Sequence, residues 1–272
     1  MEKCNKKTLR EYEEVKDDEK NCFFYLDGTL CSGGDLHVSL EIKQAFQSMR
    51  ENEIEPVIAT GRSFYEVQHL LTFLEVENYI LSNGCYVKFK GKLIQNATMS
   101  IVEIQHILAI ANEYNIGTGF FNQNGFALTM DNPIVQQHMR SMGSMDIEFN
   151  EKFFVEQPVN FMNLYLNAKT ERVIREKIIA VSDIECYAPL AIDILPKGVS
   201  KGQAINLLLE KVSDSRVTTY AFGNQNNDIS MFKTVNYGMS MKESTAELKK
   251  LSSYVAKTDN GVLEGLKHFK LI

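Results

Sequence analysis

The sequence lacks the features that mark membrane, exported and nucleic-acid-binding proteins. Its apolar runs, such as residues 178–181, are far shorter than the roughly 20 residues that cross a bilayer. The first 20 residues contain no apolar segment of the kind found in a secretory signal. Basic residues do not predominate, since 29 lysines and arginines accompany 35 aspartates and glutamates. We therefore expect a cytoplasmic protein that has neither a membrane partner nor a nucleic-acid partner.

Cysteine is also sparse and unpatterned. The five cysteines are odd in number and form no Cys-x-x-Cys pair. In a cytoplasmic protein this pattern is typical of reduced thiols rather than of a disulfide framework or a zinc site. Cys31 and Cys85 follow predicted strand ends, but we interpret them as small apolar side chains that fill the core.

The sequence does contain a regular alternation of short apolar runs and helical patterns. The runs that end at Leu26, Ala59, Leu81 and Phe222 predict buried strands, and helices with one apolar face lie between them. Strands joined by such long connections form a parallel sheet with helices on both faces. The fold class predicted is therefore α/β, with a doubly wound parallel sheet.

The pattern changes in the middle of the chain, where strands joined by a short turn at residues 124–125 are interleaved with helices. This arrangement favours an inserted α+β domain with an antiparallel sheet. Its aromatic residues Phe120, Phe121 and Phe126 lie in predicted strands, which favours core packing over a pocket. At 272 residues the chain is long enough for about two domains. The predicted parts are a charged extension over 1–20, a core domain over 21–85 and 191–272, and the insertion over 86–190.

Polar, glycine-containing turns follow the strands of the predicted parallel sheet. The four turns are Asp27-Gly28-Thr29, Thr60-Gly61-Arg62, Ser82-Asn83-Gly84 and residues 223–228. Ligands bind beyond the carboxyl ends of the strands in sheets of this class. Glycine allows backbone N–H groups to approach an anion closely. The four turns together predict a pocket of the size of a phosphate group.

Lys201 lies in the first turn of a predicted helix that Ser200 and Gln203 cap. The helix dipole disfavours a cation there by roughly 0.3–1 kcal/mol. Two interpretations follow from this position. Lys201 either faces solvent and tolerates the penalty, or it points at a bound phosphate whose charge reverses the sign of the effect.

Four segments resemble, in order, the motifs of the haloacid dehalogenase (HAD) superfamily, and specifically of its Cof-type (subfamily IIB) phosphatases. They are residues 25–30 (YLDGTL), 59–62 (ATGR), 198–202 (GVSKG) and 222–228 (FGNQNND). The resemblance implies a Rossmann-like core with an inserted α/β cap. It also implies Mg²⁺-dependent hydrolysis of a small phosphorylated metabolite, often a sugar phosphate, through an aspartyl-phosphate.

The resemblance assigns roles to particular positions. The catalytic positions that it implies are Tyr25, Asp27, Thr60 and Lys201. The positions for binding substrate or phosphate are Leu26, Gly61, Arg62, Asn83, Gly84 and Asn227. The positions for binding Mg²⁺ are Asp27 (through its backbone carbonyl), Asn224 and Asp228, and Asp228 is also placed to orient Lys201.

Two of these positions depart from the family pattern. Tyr25 stands where the family has its nucleophilic aspartate, and Asn224 replaces an aspartate that binds Mg²⁺. Because Mg²⁺ is held chiefly through carboxylates, we expect it to bind weakly or not at all. A phenol with a pKa near 10 is a poor nucleophile at neutral pH. The sequence therefore predicts either a phosphatase with weak or absent turnover or an inactive pseudo-phosphatase that binds a phosphorylated ligand.

Overall fold

The computed structural model describes residues 19–31, 36–141, 147–212 and 217–272. Residues 1–18, most of the predicted charged extension, lie outside these ranges. The first strand begins at Glu19, before the predicted start of the fold at residue 21. The reason is that Glu19 and Lys20 continue a parallel ladder with residues 217–218. The predicted boundary at residue 20 was therefore too late.

Thirteen strands and ten α-helices occur in the described residues. The strands are β1 (Glu19–Phe24), β2 (Ile54–Ala59), β3 (Tyr79–Leu81), β4 (Tyr86–Phe89), β5 (Lys92–Asn96), β6 (Gly117–Phe121), β7 (Phe126–Leu128), β8 (Phe161–Tyr165), β9 (Ser182–Ala188), β10 (Ala191–Pro196), β11 (Val217–Gly223), β12 (Tyr237–Ser240) and β13 (Tyr254–Val255). The helices are α1 (Leu40–Glu51), α2 (Phe64–Leu74), α3 (Ile101–Glu113), α4 (Pro133–Ser141), α5 (Phe153–Glu156), α6 (Ala168–Ile178), α7 (Lys201–Val212), α8 (Ile229–Phe232), α9 (Ala246–Leu251) and α10 (Gly261–His268).

The larger sheet has eight strands in the order β13-β12-β11-β1-β2-β3-β4-β5. Every neighbouring pair from β13 to β3 is parallel, and β4 and β5 add an antiparallel edge. An apolar cluster covers each face, one with residues of α1, α2 and α10 and the other with residues of α7, α8 and α9. Strands buried on both faces require near-continuous apolar sequence, which residues 22–24 of β1 and 56–59 of β2 provide. The predicted α/β class is confirmed.

The smaller sheet is antiparallel and has five strands in the order β7-β6-β8-β10-β9. Its apolar face packs against α3, α5 and α6. The strands on either side of the two predicted boundaries of the insertion, at residues 86 and 190, belong to other sheets than predicted. The hairpin of β4 and β5, assigned to the insertion, extends the larger sheet because Leu81 pairs with Tyr86. Strand β10, assigned to the core, belongs to the smaller sheet because it pairs with β8 and β9.

Local capping fixes where the helices near the strand ends begin. The Ser63 hydroxyl and the Glu66 carboxylate form a capping box at the start of α2, as the sequence predicts. The Ser200 hydroxyl accepts a hydrogen bond from the Gln203 N–H at 3.2 Å, so α7 begins at Lys201. Both helices follow turns with predicted functional residues, and the caps therefore hold those turns in place.

The structure also bears on the two features with which the sequence analysis began, namely apolar segments and cysteines. Across the described ranges, no helix combines the length and the apolar character that a membrane span needs. Cys22, Cys31 and Cys85 are buried within apolar clusters, which confirms their interpretation as core-filling side chains. Cys4 lies outside the described residues.

Candidate functional site

A cavity of about 650 Å³ lies between the carboxyl ends of the parallel strands and the smaller sheet. The turns after β1, β2 and β11 all reach it, because parallel strands present their carboxyl ends at the same edge. Six sequence-predicted site residues line the cavity, namely Tyr25, Asp27, Gly61, Arg62, Asn224 and Asn227. These turns therefore meet in space as the sequence suggests.

The other predicted site residues lie behind the cavity wall. The Leu26 side chain is fully buried in the core, so this residue could reach a ligand only through its backbone. Thr60 is also fully buried, and its hydroxyl accepts a hydrogen bond from the Arg62 N–H at 3.2 Å. Gly84 has a φ of +107°, and a Cβ there would lie 2.5 Å from the Ser200 carbonyl oxygen. Gly84 thus permits close packing of this turn against the start of α7.

Tyr25, at the nucleophile position of the resemblance, is almost completely buried. Its hydroxyl accepts a hydrogen bond from the Asn227 side-chain amide at 3.2 Å. Burial raises the pKa of the phenol, and the negative charges of Asp228 and Asp27 raise it further. The phenol is therefore protonated at neutral pH and is a weak nucleophile.

Lys201 lies beneath the ring of Tyr25. Its Nζ is 3.9 Å from the ring centroid and 2.8 Å from Oδ1 of Asp228. Both members of this ion pair are buried. The other carboxylate oxygen of Asp228 accepts hydrogen bonds from the backbone N–H groups of Asn224 and Gln225. Lys201 and Asp228 satisfy each other, and the Tyr25 ring lies against the ammonium group.

Asp27 faces the cavity but is engaged by Arg62. The Arg62 guanidinium donates from Nη2 at 2.6 Å and from Nε at 3.0 Å to the two carboxylate oxygens of Asp27. The Glu66 carboxylate lies 3.6 Å from Nη1 of the same guanidinium. Two carboxylates therefore share the charge of Arg62, and the bidentate geometry fixes Asp27 in place.

Gly28 allows Asn224 to approach the first turn. Gly28 has a φ of +76°, and a Cβ at this position would lie 2.0 Å from the Asn224 side-chain nitrogen. The Asn224 side-chain oxygen accepts a weak hydrogen bond from the Thr29 hydroxyl at 3.5 Å. The Asn224 amide thus reaches from the fourth motif to the first, at the position where the resemblance places a metal-binding carboxylate.

The residues at this position do not fit a magnesium ion. Asp228 uses its carboxylate oxygens for Lys201 and two backbone N–H groups, and Asp27 uses its own for Arg62. Tyr25 and Asn224 supply a neutral phenol and an amide in place of carboxylates. Within the described ranges, no three acidic, histidine or cysteine side chains converge as a metal site. Mg²⁺ prefers a hard oxygen set with carboxylates, which these residues do not provide.

Sequence reasoning missed Asp193, which lines the cavity from β10. The Asp193 carboxylate accepts hydrogen bonds from the side-chain amides of Asn83, at 2.6 Å, and of Asn163. Burial raises the pKa of Asp193 to about 8, although the two amide donors act in the opposite direction. The sequence feature that could have identified Asp193 is its position between two isoleucines in an apolar run. A carboxylate in such a run is expected to be buried, and buried carboxylates usually have a specific partner. Asn83 lies in the turn after β3 and connects that turn to β10 through Asp193, while its predicted role in substrate binding stays a prediction.

Aromatic side chains form much of the remaining wall. Phe121 and Phe126 line the cavity, whereas Phe120 is fully buried in the core of the smaller sheet. Phe121 is nevertheless a buried member of an apolar cluster and Phe126 packs against it, so the predicted core packing is confirmed and two of the three rings also face the cavity. Their rings belong to a stack in which Phe121 lies 5.3 Å from Phe126 and 4.8 Å from Phe161. The cavity therefore offers apolar surface on the side of the smaller sheet.

Cys85 does not supply a replacement nucleophile. Its thiol is buried and donates a hydrogen bond to the Asn160 carbonyl oxygen at 3.3 Å. Burial raises the pKa of the thiol, and the Asp193 carboxylate raises it further. A thiol that is neutral and buried is inert.

Comparison with known proteins identifies the family. The family model for haloacid dehalogenase-like hydrolases matches residues 22–267. Phosphatase YwpJ of Bacillus subtilis (strain 168) is 26% identical over 281 residues, which cover 89% of this chain and 97% of YwpJ. The solved structure of BT1666, a HAD-superfamily phosphatase from Bacteroides thetaiotaomicron, matches with a TM-score of 0.85 at 22% identity, covering 95% of this chain and 98% of BT1666.

The subclass IIB sugar phosphatase BT4131 has the same fold, with a TM-score of 0.80 at 21% identity. That match covers 93% of this chain and all of BT4131. The matched region includes both sheets and all four motifs, two of which carry the substitutions at Tyr25 and Asn224. The chain belongs to the haloacid dehalogenase-like hydrolase family, as a Cof-type member.

Proposed function

We propose that this chain binds a small molecule in the cavity between its sheets and does not hydrolyse phosphate monoesters at enzymatic rates. The observation that carries the proposal is Tyr25, a protonated phenol whose ring lies 3.9 Å from the Lys201 ammonium group. The family's phosphatases act on small phosphorylated substrates. In this chain the position of the attacking carboxylate is occupied by a group that does not attack phosphorus.

The remaining acidic residues do not restore a nucleophile. Asp27 is the nearest carboxylate along the chain, but the Arg62 guanidinium holds both of its oxygens. Attack by Asp27 would break this bidentate pair, in which each charge-assisted hydrogen bond contributes roughly 1.5–3 kcal/mol. Asp228 is buried with Lys201. Both carboxylates therefore act as partners of fixed cations.

The expected phosphorylated ligand meets a similar obstacle. Lys201, the cation predicted to neutralise a phosphate, pairs with Asp228 and is not among the residues that line the cavity. Arg62 does face the cavity, but Asp27 and Glu66 already balance its charge. The phosphate-binding roles of Thr60, Lys201 and Asn227 stay predictions, and so do the cytoplasmic location and the absence of nucleic-acid and membrane partners.

Restoring the two missing carboxylates tests the proposal. Hydrolysis of p-nitrophenyl phosphate is measured with Mg²⁺ in large excess over the protein and, as a blank, without Mg²⁺. The wild type is expected to stay at background, and the Tyr25→Asp/Asn224→Asp variant is expected to gain Mg²⁺-dependent turnover. Wild-type turnover of roughly 1 per second or faster would contradict the proposal.

Two further variants serve as controls. Tyr25→Phe keeps the ring and should remain at background, which shows that loss of the hydroxyl alone does not create activity. Adding Asp27→Asn to the double variant should abolish the gained turnover, because the family resemblance makes Asp27 a catalytic position. Thermal unfolding of each variant confirms that it is folded.

A further inference from the structure

The ionisable side chains that face the cavity are predominantly acidic. The described lining residues include three carboxylates, Asp27, Glu66 and Asp193, and a single guanidinium, Arg62. Asp27 and Glu66 share Arg62. His138 also lines the cavity, but burial lowers its pKa to about 4 and leaves it neutral at pH 7. The cavity lining thus has more acidic than basic side chains.

Asp193 accounts for this surplus, because no cation balances its buried carboxyl group. The carboxyl group therefore keeps its proton up to about pH 8 in the unliganded chain, and a bound cation would favour its ionised form. Its hydrogen-bond donors are the amides of Asn83 and Asn163, and within the described ranges no lysine, arginine or histidine pairs with it. Its cross-strand neighbour on β9 is Glu185, another acid. A buried carboxylate of this kind is stabilised strongly by an opposite charge in a medium of low dielectric constant.

The wall around Asp193 is aromatic. Tyr165 lies two residues from Asn163 on β8, and its hydroxyl donates to the Asn163 side-chain oxygen at 3.4 Å. Phe121, Phe161 and Tyr25 line the same cavity. Aromatic faces attract organic cations, more strongly when the site is shielded from water, and they exert no such attraction on phosphate.

We propose that the cavity takes a small organic cation, an amine or a quaternary ammonium compound with an apolar body, and that Asp193 recognises its positive charge. The inference rests on the proposed function, since it assigns a ligand class to the non-hydrolytic cavity. The carboxylate supplies the counter-charge and the aromatic wall covers the apolar body. A phosphate dianion would instead face three carboxylates and compete with Asp27 for Arg62.

Three probes with the same aromatic body separate the possible ligand charges. Benzyltrimethylammonium is a permanent cation, benzyl alcohol is neutral and benzyl phosphate is an anion. Binding of each to the full chain is measured by calorimetry and by ligand-detected NMR at pH 8. The ammonium probe is expected to bind at least about tenfold more tightly than benzyl alcohol, and benzyl phosphate more weakly than either.

Matched variants assign the charge recognition to Asp193. Asp193→Asn keeps the shape of the side chain, and it should weaken ammonium binding about tenfold while changing benzyl alcohol binding by less than about threefold. A purely structural role would weaken both probes equally. Asp259→Asn removes the same charge from a side chain that is 92% exposed and should change neither affinity.

Clear results would overturn this inference. It is wrong if benzyl phosphate binds more tightly than the ammonium probe, or if the ammonium probe shows no binding below roughly 10 mM, a free energy of less than about 3 kcal/mol. It is also wrong if Asp193→Asn leaves ammonium binding unchanged. Failure of the proposed function has a different signature, namely Mg²⁺-dependent hydrolysis by the wild type.

Discussion

The ammonium group of Lys201 and the ring of Tyr25 are in direct contact, 3.9 Å from nitrogen to ring centroid. The contact joins the third motif of the chain to its first. Lys201 also pairs with Asp228 in the fourth motif, so three motifs converge on one buried cation. Since this cation is paired with Asp228 and covered by the Tyr25 ring, it does not offer a free charge to a ligand.

Truncation of Tyr25 should expose this cation. Tyr25→Ala removes a buried aromatic side chain, so we expect a loss of about 3–5 kcal/mol in the free energy of unfolding. We also expect the variant to bind inorganic phosphate, because Lys201 becomes accessible from the cavity. Tyr25→Phe should cost only about 1 kcal/mol, the hydrogen bond with Asn227, and should gain no phosphate binding. Urea unfolding and phosphate calorimetry measure the two effects. Equal phosphate binding by both variants would contradict the proposed shielding.

The buried ion pair should respond asymmetrically to mutation. Lys201→Met leaves the Asp228 carboxylate buried without its counter-ion, so we expect a loss of about 3–5 kcal/mol in stability. Adding Asp228→Asn to that variant should recover part of the loss, because the uncompensated charge is removed. Urea unfolding of the two variants at pH 7 measures the difference. A double variant less stable than Lys201→Met would show that the charge of Asp228 is not the cause.

Asp193 should make stability depend on pH. Its pKa rises from an ordinary 3.8 to about 8 in the folded protein, chiefly because the group is buried. The hydrogen bonds from Asn83 and Asn163 lower the pKa, and the negative charges of Glu185 and Glu66 raise it. Between these values the folded protein holds a proton that the unfolded chain has released. This residue's contribution to the free energy of unfolding therefore falls as the pH rises from about 4 to about 8.

Comparison with a neutral variant isolates this contribution. The difference in stability between Asp193→Asn and the wild type should shift in favour of the variant as the pH rises through this window. Urea unfolding at intervals of one pH unit gives the difference, and Asp259→Asn, an exposed position, should show no such trend. A difference independent of pH would mean that Asp193 is ionised throughout.

Gly28 should tolerate alanine less well than another glycine with the same backbone angle. Gly28 and Gly91 have φ values of +76° and +75°, but a Cβ at Gly91 meets no atom within 4 Å, whereas at Gly28 it meets the Asn224 amide. Gly91→Ala should cost about 1–2 kcal/mol from backbone strain alone. Gly28→Ala should cost about 1–3 kcal/mol more, because Asn224 or the turn shifts. Thermal unfolding measures the loss of stability in the two variants. Equal losses would show that the Asn224 side chain moves away from the new Cβ without cost.

The parts of the fold that sequence predicts best are those that local pattern specifies. Strand β1 and the capping box at Ser63 follow from a short apolar run and from the spacing of two polar residues. The β4–β5 hairpin was missed, because its strands mix charged and apolar residues and lie at a sheet edge. Strand β9 was missed for the same reason, since most of its described side chains are partly exposed.

Some features of the candidate site could likewise be predicted from the sequence, and others could not. The turns that carry Tyr25, Arg62 and Asn224 were predictable, because parallel topology brings strand ends together wherever the strands lie in sequence. The contact of Asn83 with Asp193 was not predictable, since it joins the turn after β3 to a strand of the smaller sheet 110 positions away. The pairing of Arg62 with Asp27 depends on side-chain orientation, which no spacing rule gives.

The hydrogen bond from Asn83 to Asp193 also has a consequence for how molecules enter and leave. It is buried at the seam between the larger and the smaller sheet. Separation of the sheets by a few ångströms would break it and admit water to the carboxyl group. A hydrated carboxyl group gives up its proton more readily, so alkaline solution favours the state in which the sheets have separated. We therefore expect small molecules to enter and leave the cavity faster in alkaline than in acidic solution.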